Sequence, residues 1–304
     1  MSLIIYEAKL TWYKNYNIPL DKLQNIVRDV NGFAPEVPVQ NIKSLFIFSV
    51  NENKESINIK TEIDTDVFFD GEEPEDGWES LLDETIIRRI KDLLFVINLA
   101  HPGCLHIIRN HILKNGKPLP IKISFATDIS GMVHDKCKWL ELEELELNKC
   151  WNWILSKTNF LSYLSLTPID RALHSLSYES KANEDMYIFY VMLGIEAIYN
   201  NGSNKEDSIL AQIRRKSQAL LGNDIEKAHK HISNMYALRS KLVHGSANIY
   251  KCWNSEYYKE DEDEKVFKER LSIVTATGLL LATIQKFIKA NANTLTETIT
   301  VKLE

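Results

Sequence analysis

The sequence predicts an α+β chain in three parts. These are a mixed α/β N-terminal domain with a small sheet over residues 1–137, an all-α helical bundle over 138–290, and a C-terminal strand or tail over 291–304. Three observations predict it. Residues 56–63 (SINIKTEI) and 120–126 (PIKISFA) alternate apolar and polar with period 2, as half-buried strands do. From about residue 138 onward the apolar spacing becomes almost continuously helical. Residues 294–303 (TLTETITVKL) then alternate again. An isolated strand is not stable alone, so this one is expected to return to the N-terminal sheet.

Each element has a local reason. Residues 2–12 open with β-branched and aromatic side chains, and 44–50 (SLFIFSV) form a short buried-strand run. Residues 70–79 (DGEEPEDGWE) carry acids, two Gly and a Pro, which marks an exposed loop. Residues 84–99 have helical spacing, with acids at the start and a stop at His101-Pro102-Gly103. The pair Asn115-Gly116 signals a turn before the 120–126 strand. In the second half, helices are expected over 139–155, 168–177 (with Pro168 in its first turn), 185–199, 205–221, 225–243 (with Asp224 as N-cap) and 266–289. The acidic run 259–265 reads as a solvated loop or first turn before the last of these.

Composition narrows the functional classes. With 304 residues, 44% hydrophobic and 26% charged, the chain is long enough for a real core, and disorder and rods are excluded. Cys104, Cys137, Cys150 and Cys252 contain no C-x-x-C pair, which fits a reducing compartment. The start MSLIIYEAKLTWYK lacks the features of a signal peptide, and the apolar runs 93–100 and 273–284 are too short to cross a bilayer. A cytoplasmic protein without membrane attachment is expected. The net charge of −6 argues against a high-affinity, non-specific nucleic-acid binder. Residues 151–250 nevertheless carry 11 Lys and Arg against 9 Asp and Glu, a net +2, which leaves −8 for the rest. A small local cationic cleft is compatible with that balance.

Most candidate clusters read as structural. His101, Cys104, His106 and His111 are the densest His/Cys group, but their spacing matches no closed zinc site, and no metal or other cofactor is expected. His229 and His231, two apart on a helix, read as surface residues, and Trp139, Trp151 and Trp153 as core or interface residues. No Walker loop, G-x-G-x-x-G, G-x-S-x-G or H-E-x-x-H occurs.

One stretch carries chemistry: Tyr236-Ala237-Leu238-Arg239-Ser240-Lys241-Leu242-Val243-His244-Gly245. It sets Arg239 and His244 in an R-x-x-x-x-H spacing at a helix C-terminus. Histidine exchanges protons near neutral pH, and arginine grips a phosphate with a two-pronged fork. Five residues of helix mean about 140° of rotation and about 7.5 Å of rise, so the two side chains do not share a face within one chain. A two-fold dimer interface would relieve that separation. The alternative is ordinary capping chemistry.

The run RSKLVHG, preceded by the apolar helix YVMLGIEAIY and by IRRKSQALLG, resembles the Apea-like branch of the HEPN superfamily. The resemblance covers residues 151–288. It implies a dimerising helical bundle and, for many members, a metal-independent endoribonuclease in which the ribose 2′-hydroxyl attacks the phosphate. Carried onto this chain, Arg239 stabilises the charge on phosphorus and His244 is the general base or acid. Ser240 stands where Asn, Asp or His is commoner. Glu196 matches the acid of the preceding helix and would orient Arg239 or His244, while Lys241 sits beside the site. The triplet Arg214-Arg215-Lys216 reads first as a solvated face and second as a contact for RNA backbone. Proteins of this kind often serve as toxins or antiviral effectors, so RNA as substrate, a homodimer, and a trigger or regulatory partner on the N-terminal domain are the implied associations. The rival readings are a non-catalytic dimerisation, nucleotide-binding or partner-binding scaffold, and an adaptor that works through the acidic loop.

Overall fold

The computed structural model describes residues 3–12, 20–40, 42–51, 56–68, 76–137, 139–140, 142–162, 164–180, 184–200, 207–222, 228–246 and 260–296. The chain divides into two compact units. The first comprises residues 1–128 and 144–152, the second 129–143 and 153–304. The boundary therefore falls at 128/129 rather than 137/138, and a short later segment joins the first unit.

The first unit is an antiparallel sheet. Its strands are β1 (Leu3–Trp12), β2 (Glu36–Val39), β3 (Ile42–Val50), β4 (Ser56–Asp64), β5 (His106–Lys114), β6 (Lys117–Pro118) and β7 (Phe125–Ala126). The order is β2-β3-β4-β1-β5-β6, with β7 also pairing with β5. Period-2 burial aligns across the ladder. Tyr6 opposes Thr61 and Ala8 opposes Ile59, while Phe48 opposes Ile59 from the other side. All of these are buried, which fixes the register, because a one-residue slip would turn the apolar set to solvent.

Helices α1 (Leu20–Val30), α2 (Thr65–Phe68) and α3 (Trp78–Ala100) belong to this unit. The last two turns of α3 are wholly buried from Leu93 to Ala100, with Asn98 as their one polar side chain. Tyr6 donates its hydroxyl to Asp83 Oδ1 at 2.5 Å, and Arg89 Nε donates to the Pro38 carbonyl at 2.8 Å, tying the helix to the sheet.

The expected strand over 120–126 shrinks to Phe125–Ala126, and the long strand lies before the turn, at His106–Lys114. Pro118 and Pro120 remove ladder donors after the turn, while the interspersed His and Arg mask the apolar positions of β5. Asn115 (φ 50°) and Gly116 (φ 74°) are both left-handed, the paired signature of a tight hairpin turn.

The second unit is helical: α4 (Asp128–Lys136, whose first residue closes the first unit), α6 (Pro168–Ser177), α7 (Glu184–Tyr199), α8 (Ile209–Leu221), α9 (His229–Val243) and α10 (Glu260–Ala290). Helix α5 (Leu147–Lys157) contains the unit boundary. The expected helix over 139–155 is thus shortened to α5, which starts at Leu147 after a connecting stretch, and α4 is a further helix ahead of it. Thr167 and Asp170 form a reciprocal capping box at the start of α6, with Pro168 in the first turn.

Helix α7 is the central element. A Cβ added at Gly194 would meet Leu280 at 2.9 Å and the Ala172 backbone at 3.2 Å, so glycine here lets α6, α7 and α10 close together. Helix α10 is long and apolar enough over Phe267–Ala290 to cross a membrane, beyond the 273–284 run that the sequence suggested, but 89% of its most apolar 18-residue stretch is buried within the protein. Thr277 and Thr283 are accommodated by back-bonding, with Thr283 Oγ1 donating to the Leu279 carbonyl at 2.6 Å. The acidic run that reads as a loop or first turn is helical from Glu260, as expected of carboxylates at a helix N-terminus. Asp224 and the C-terminal alternation beyond residue 296 lie outside the described residues.

Candidate active site

All candidate residues fall in the second unit, on α7, α8 and the end of α9. Helix α9 terminates in a six-residue closure. Ser246 N–H donates to the Lys241 carbonyl at 2.8 Å and Gly245 N–H to the Leu242 carbonyl at 3.2 Å. This doubly bonded pattern requires a left-handed residue, which Gly245 supplies at φ 68°. His244 is the C-cap (φ −89°, ψ 6°), and its side chain is exposed. The His-Gly pair therefore has a structural role in stopping the helix, and that stop leaves the imidazole at the surface.

Arg239 lies on a different face. Its Nη2 is 3.6 Å from Glu196 Oε1 of α7, with both side chains mostly covered. At that distance the contact is an ion pair and not a hydrogen bond, and Glu196 Oε1 is buried without a hydrogen-bond partner. Burial raises the Glu196 carboxyl above its ordinary value more than Arg239 pulls it down. Because the folded value is raised, its stabilising contribution is complete below the ordinary value of 4.5 and is lost as pH rises through the folded value. Glu196→Gln mimics the protonated form and is expected to change stability at pH 7 by less than about 1 kcal/mol. Denaturant unfolding of both proteins at pH 7 and pH 4 checks this. A loss above about 3 kcal/mol at pH 7 would show that the ion pair dominates instead.

Ser240 is half-buried and its carbonyl accepts from His244 N–H at 3.0 Å, while Lys241 is exposed. The structure thus brings Arg239 to Glu196, and leaves His244 and Lys241 at the surface at the end of the same helix.

The basic triplet does not form one solvated face. Lys216 is buried, and its ammonium donates to the Tyr199 carbonyl at 2.8 Å, closing the C-terminus of α7. An ammonium spent on a buried carbonyl is unavailable to phosphate, so the expected RNA contact is corrected at this position. Arg214 is half-buried against Ser233 Oγ and the His229 carbonyl. Arg215 is exposed and paired with Asp207. Lys216→Ala is expected to cost roughly 1–2 kcal/mol, against under about 0.5 kcal/mol for Arg215→Ala, measurable by denaturant unfolding.

A groove of about 700 Å³ runs between α9 and α10. Its α9 wall is the row Lys230, Asn234, Ala237 and Lys241, and its α10 wall starts at Phe267 and Lys268. His244 continues the α9 row at the same 4-3-4-3 spacing. That spacing is legible in the sequence, whereas its facing α10 partner is not. His231 also lines the groove and stacks on Trp139, with ring centroids 6.4 Å apart.

The His/Cys cluster is dispersed. His101 and Cys104 are buried, His106 pairs with Asp128 at 2.8 Å, and His111 is exposed on β5. Among the described residues, no three His, Cys, Asp or Glu side chains gather to hold a metal ion. Burial raises the Cys104, Cys137 and Cys150 thiols, which disfavours the reactive thiolate. Trp151 and Trp153 anchor backbone, donating to the carbonyls of Glu36 at 3.2 Å and Ala292 at 2.7 Å. Compared with known proteins, the chain matches no family model, no curated protein and no solved structure.

Proposed function

We propose that the chain is a metal-independent RNA endonuclease of the HEPN type, working as a homodimer in the cytoplasm in a toxin or antiviral role. The observation that carries this reading is Arg239 held on the carboxylate of α7 while His244 stands exposed at the end of the same helix. These are the two chemistries that phosphodiester cleavage needs, a fixed cation and a proton carrier.

In the reaction, the ribose 2′-hydroxyl loses its proton and forms an O2′–P bond as the P–O5′ bond breaks. The departing O5′ takes up a proton. The products are a 2′,3′-cyclic phosphate and a 5′-hydroxyl, with no water consumed. His244 takes or gives the proton, and Arg239 stabilises the extra charge on the phosphoryl oxygens. The roughly 140° between the two residues on one helix favours a site completed by a second copy.

The test is to incubate the full chain with RNA in EDTA and analyse the new ends. Cyclic phosphate with 5′-hydroxyl ends is expected. Intact RNA, or 5′-phosphate ends, would refute the mechanism. The second reading, a non-catalytic dimerisation or partner-binding scaffold, draws support from the same ion pair, since an arginine engaged with Glu196 also has a purely structural use.

A further inference from the structure

We infer that the open face of the antiparallel sheet is a self-docking surface, on which the sheet of a second copy of this chain packs face to face; this lies in the first unit and goes beyond the ribonuclease reading. One face of the sheet is covered, since Tyr6, Ala8, Phe48, Ile59 and Thr61 are all buried. Period-2 alternation turns the intervening side chains the other way. In an antiparallel sheet with one wet side, that outer face is ordinarily polar. Here Leu45 and Ile47 of β3 are each 46% exposed, and Leu3 of β1 is 50% exposed. Aliphatic side chains on one exposed face mark an interaction surface.

Strand pairing identifies the partner. Strands β3, β4, β1 and β5 are neighbours in that order. One row of outward side chains crosses them, Ile47, Lys60, Glu7 and Leu113, each directly opposite the next. The row reads apolar, cation, anion, apolar. A two-fold axis parallel to the strands, above the line between β4 and β1, sets Lys60 against the second copy's Glu7 and Ile47 against the second copy's Leu113, each twice. The next row is Ser49, Asn58, Lys9 and His111. The same axis sets Asn58 against Lys9 and Ser49 against His111, so no like charges face each other in either row. An axis above β4 would instead set Lys60 on Lys60, and one above β1 would set Glu7 on Glu7. The charges therefore select one register and reject its neighbours. A partner of a single charge sign would satisfy Lys60 or Glu7 and repel the other. Lys60 also lies 2.9 Å from Glu62 of its own strand, with 46% of its side chain exposed, so its ammonium can bridge an acid of each copy. Sheets packed face to face lie about 10 Å apart, a gap that side chains of this size fill.

The experiment uses the full chain. Within one chain Ile47 and Leu113 stand three strand spacings apart, about 14 Å, too far for a disulfide. Between copies they face each other. A chain carrying both Ile47→Cys and Leu113→Cys is therefore expected to form a covalent dimer in oxidised glutathione, scored on a non-reducing gel. The parent chain and the two single variants are expected to stay uncoupled. Adding Glu7→Lys to the doubly substituted chain creates two like-charged pairs across the interface and is expected to slow the coupling at least about 10-fold, and adding Lys60→Glu does the same. Mixing these two charge variants is expected to restore the rate, because every facing pair is then of opposite sign. Unfolding midpoints check that each variant is folded. A folded, doubly substituted chain that forms no covalent dimer would overturn the inference. So would equal coupling by Ile47→Cys alone, or a rate indifferent to the charge changes. Coupling as expected in a chain that does not cut RNA leaves the inference standing while the ribonuclease reading falls.

Discussion

His244→Ala is expected to slow RNA cleavage by about 10²- to 10⁴-fold, the usual worth of a positioned proton carrier. The fold should survive the change. The side chain is exposed, and the cap rests on backbone groups that alanine keeps, namely the His244 N–H on the Ser240 carbonyl and the closure at Gly245. Arg239→Lys is the companion variant. It retains a cation opposite Glu196 but loses the planar fork that holds two phosphoryl oxygens, so a loss of about 10²- to 10³-fold is expected. Rates are compared under single-turnover conditions in EDTA, with unfolding midpoints as the control. Cleavage at the parent rate by either variant would remove that residue from the chemistry. The lysine is preferred to alanine at position 239, because alanine would also strand the buried Glu196 carboxyl and mix a stability effect with a catalytic one.

The second large effect concerns stability. Asp170 is fully buried in the first turn of α6. Its carboxylate accepts from Asn159 N–H at 2.7 Å, from Asn159 Nδ2 at 3.1 Å and from Thr167 N–H at 2.9 Å. Asp170→Ala removes the acceptor for all three and half of the capping box. A cost of about 3 kcal/mol is expected, since each buried donor left unpaired costs about 1–3 kcal/mol. Burial alone would raise this carboxyl, but the donors of Asn159 and Thr167 outweigh it and hold it below its ordinary value of 3.8. With a depressed folded value, the stabilisation is present above 3.8 and is lost as pH falls through the folded value below it. Denaturant unfolding should therefore show the parent losing more stability below about pH 4 than Asp170→Asn, which keeps only the decline from other depressed carboxyls such as Glu143. A parallel decline in both proteins would contradict this account of the cap.

Much of the fold is legible in the sequence, for local reasons. The period-2 pattern of β4, the Asn115-Gly116 hairpin, the Pro168 start of α6 and the Gly245 stop of α9 are each written in a few adjacent residues. The misses have an equally physical basis. Strand β5 hides behind His106, Arg109, Asn110 and His111, which interrupt its apolar pattern. Helix α4 carries an unremarkable run with a glycine in it, DISGMVHDK. The strand expected at 120–126 ignores the proline that precedes it.

The candidate site divides in the same way. Arg239 and His244 are found by type and spacing within one helix. The fate of Lys216 is decided by the C-terminus of α7, 17 residues away in sequence, which no local pattern reports. The groove likewise needs both α9 and α10. Its α9 row is readable as a 4-3-4-3 spacing, but the pairing of that row with Phe267 and Lys268 belongs to the packing of the bundle.

The central claim is that one cleft joins Arg239 of one chain to His244 of another. Its most direct test is RNA cleavage in EDTA by co-expressed Arg239→Lys and His244→Ala chains. Each mixed dimer then holds one native arginine and one native histidine on different chains. The account predicts that the mixture regains a measurable part of the parent activity although each variant alone cuts at least about 10²-fold more slowly than the parent. A mixture as inactive as its components, beside an active parent, would contradict it.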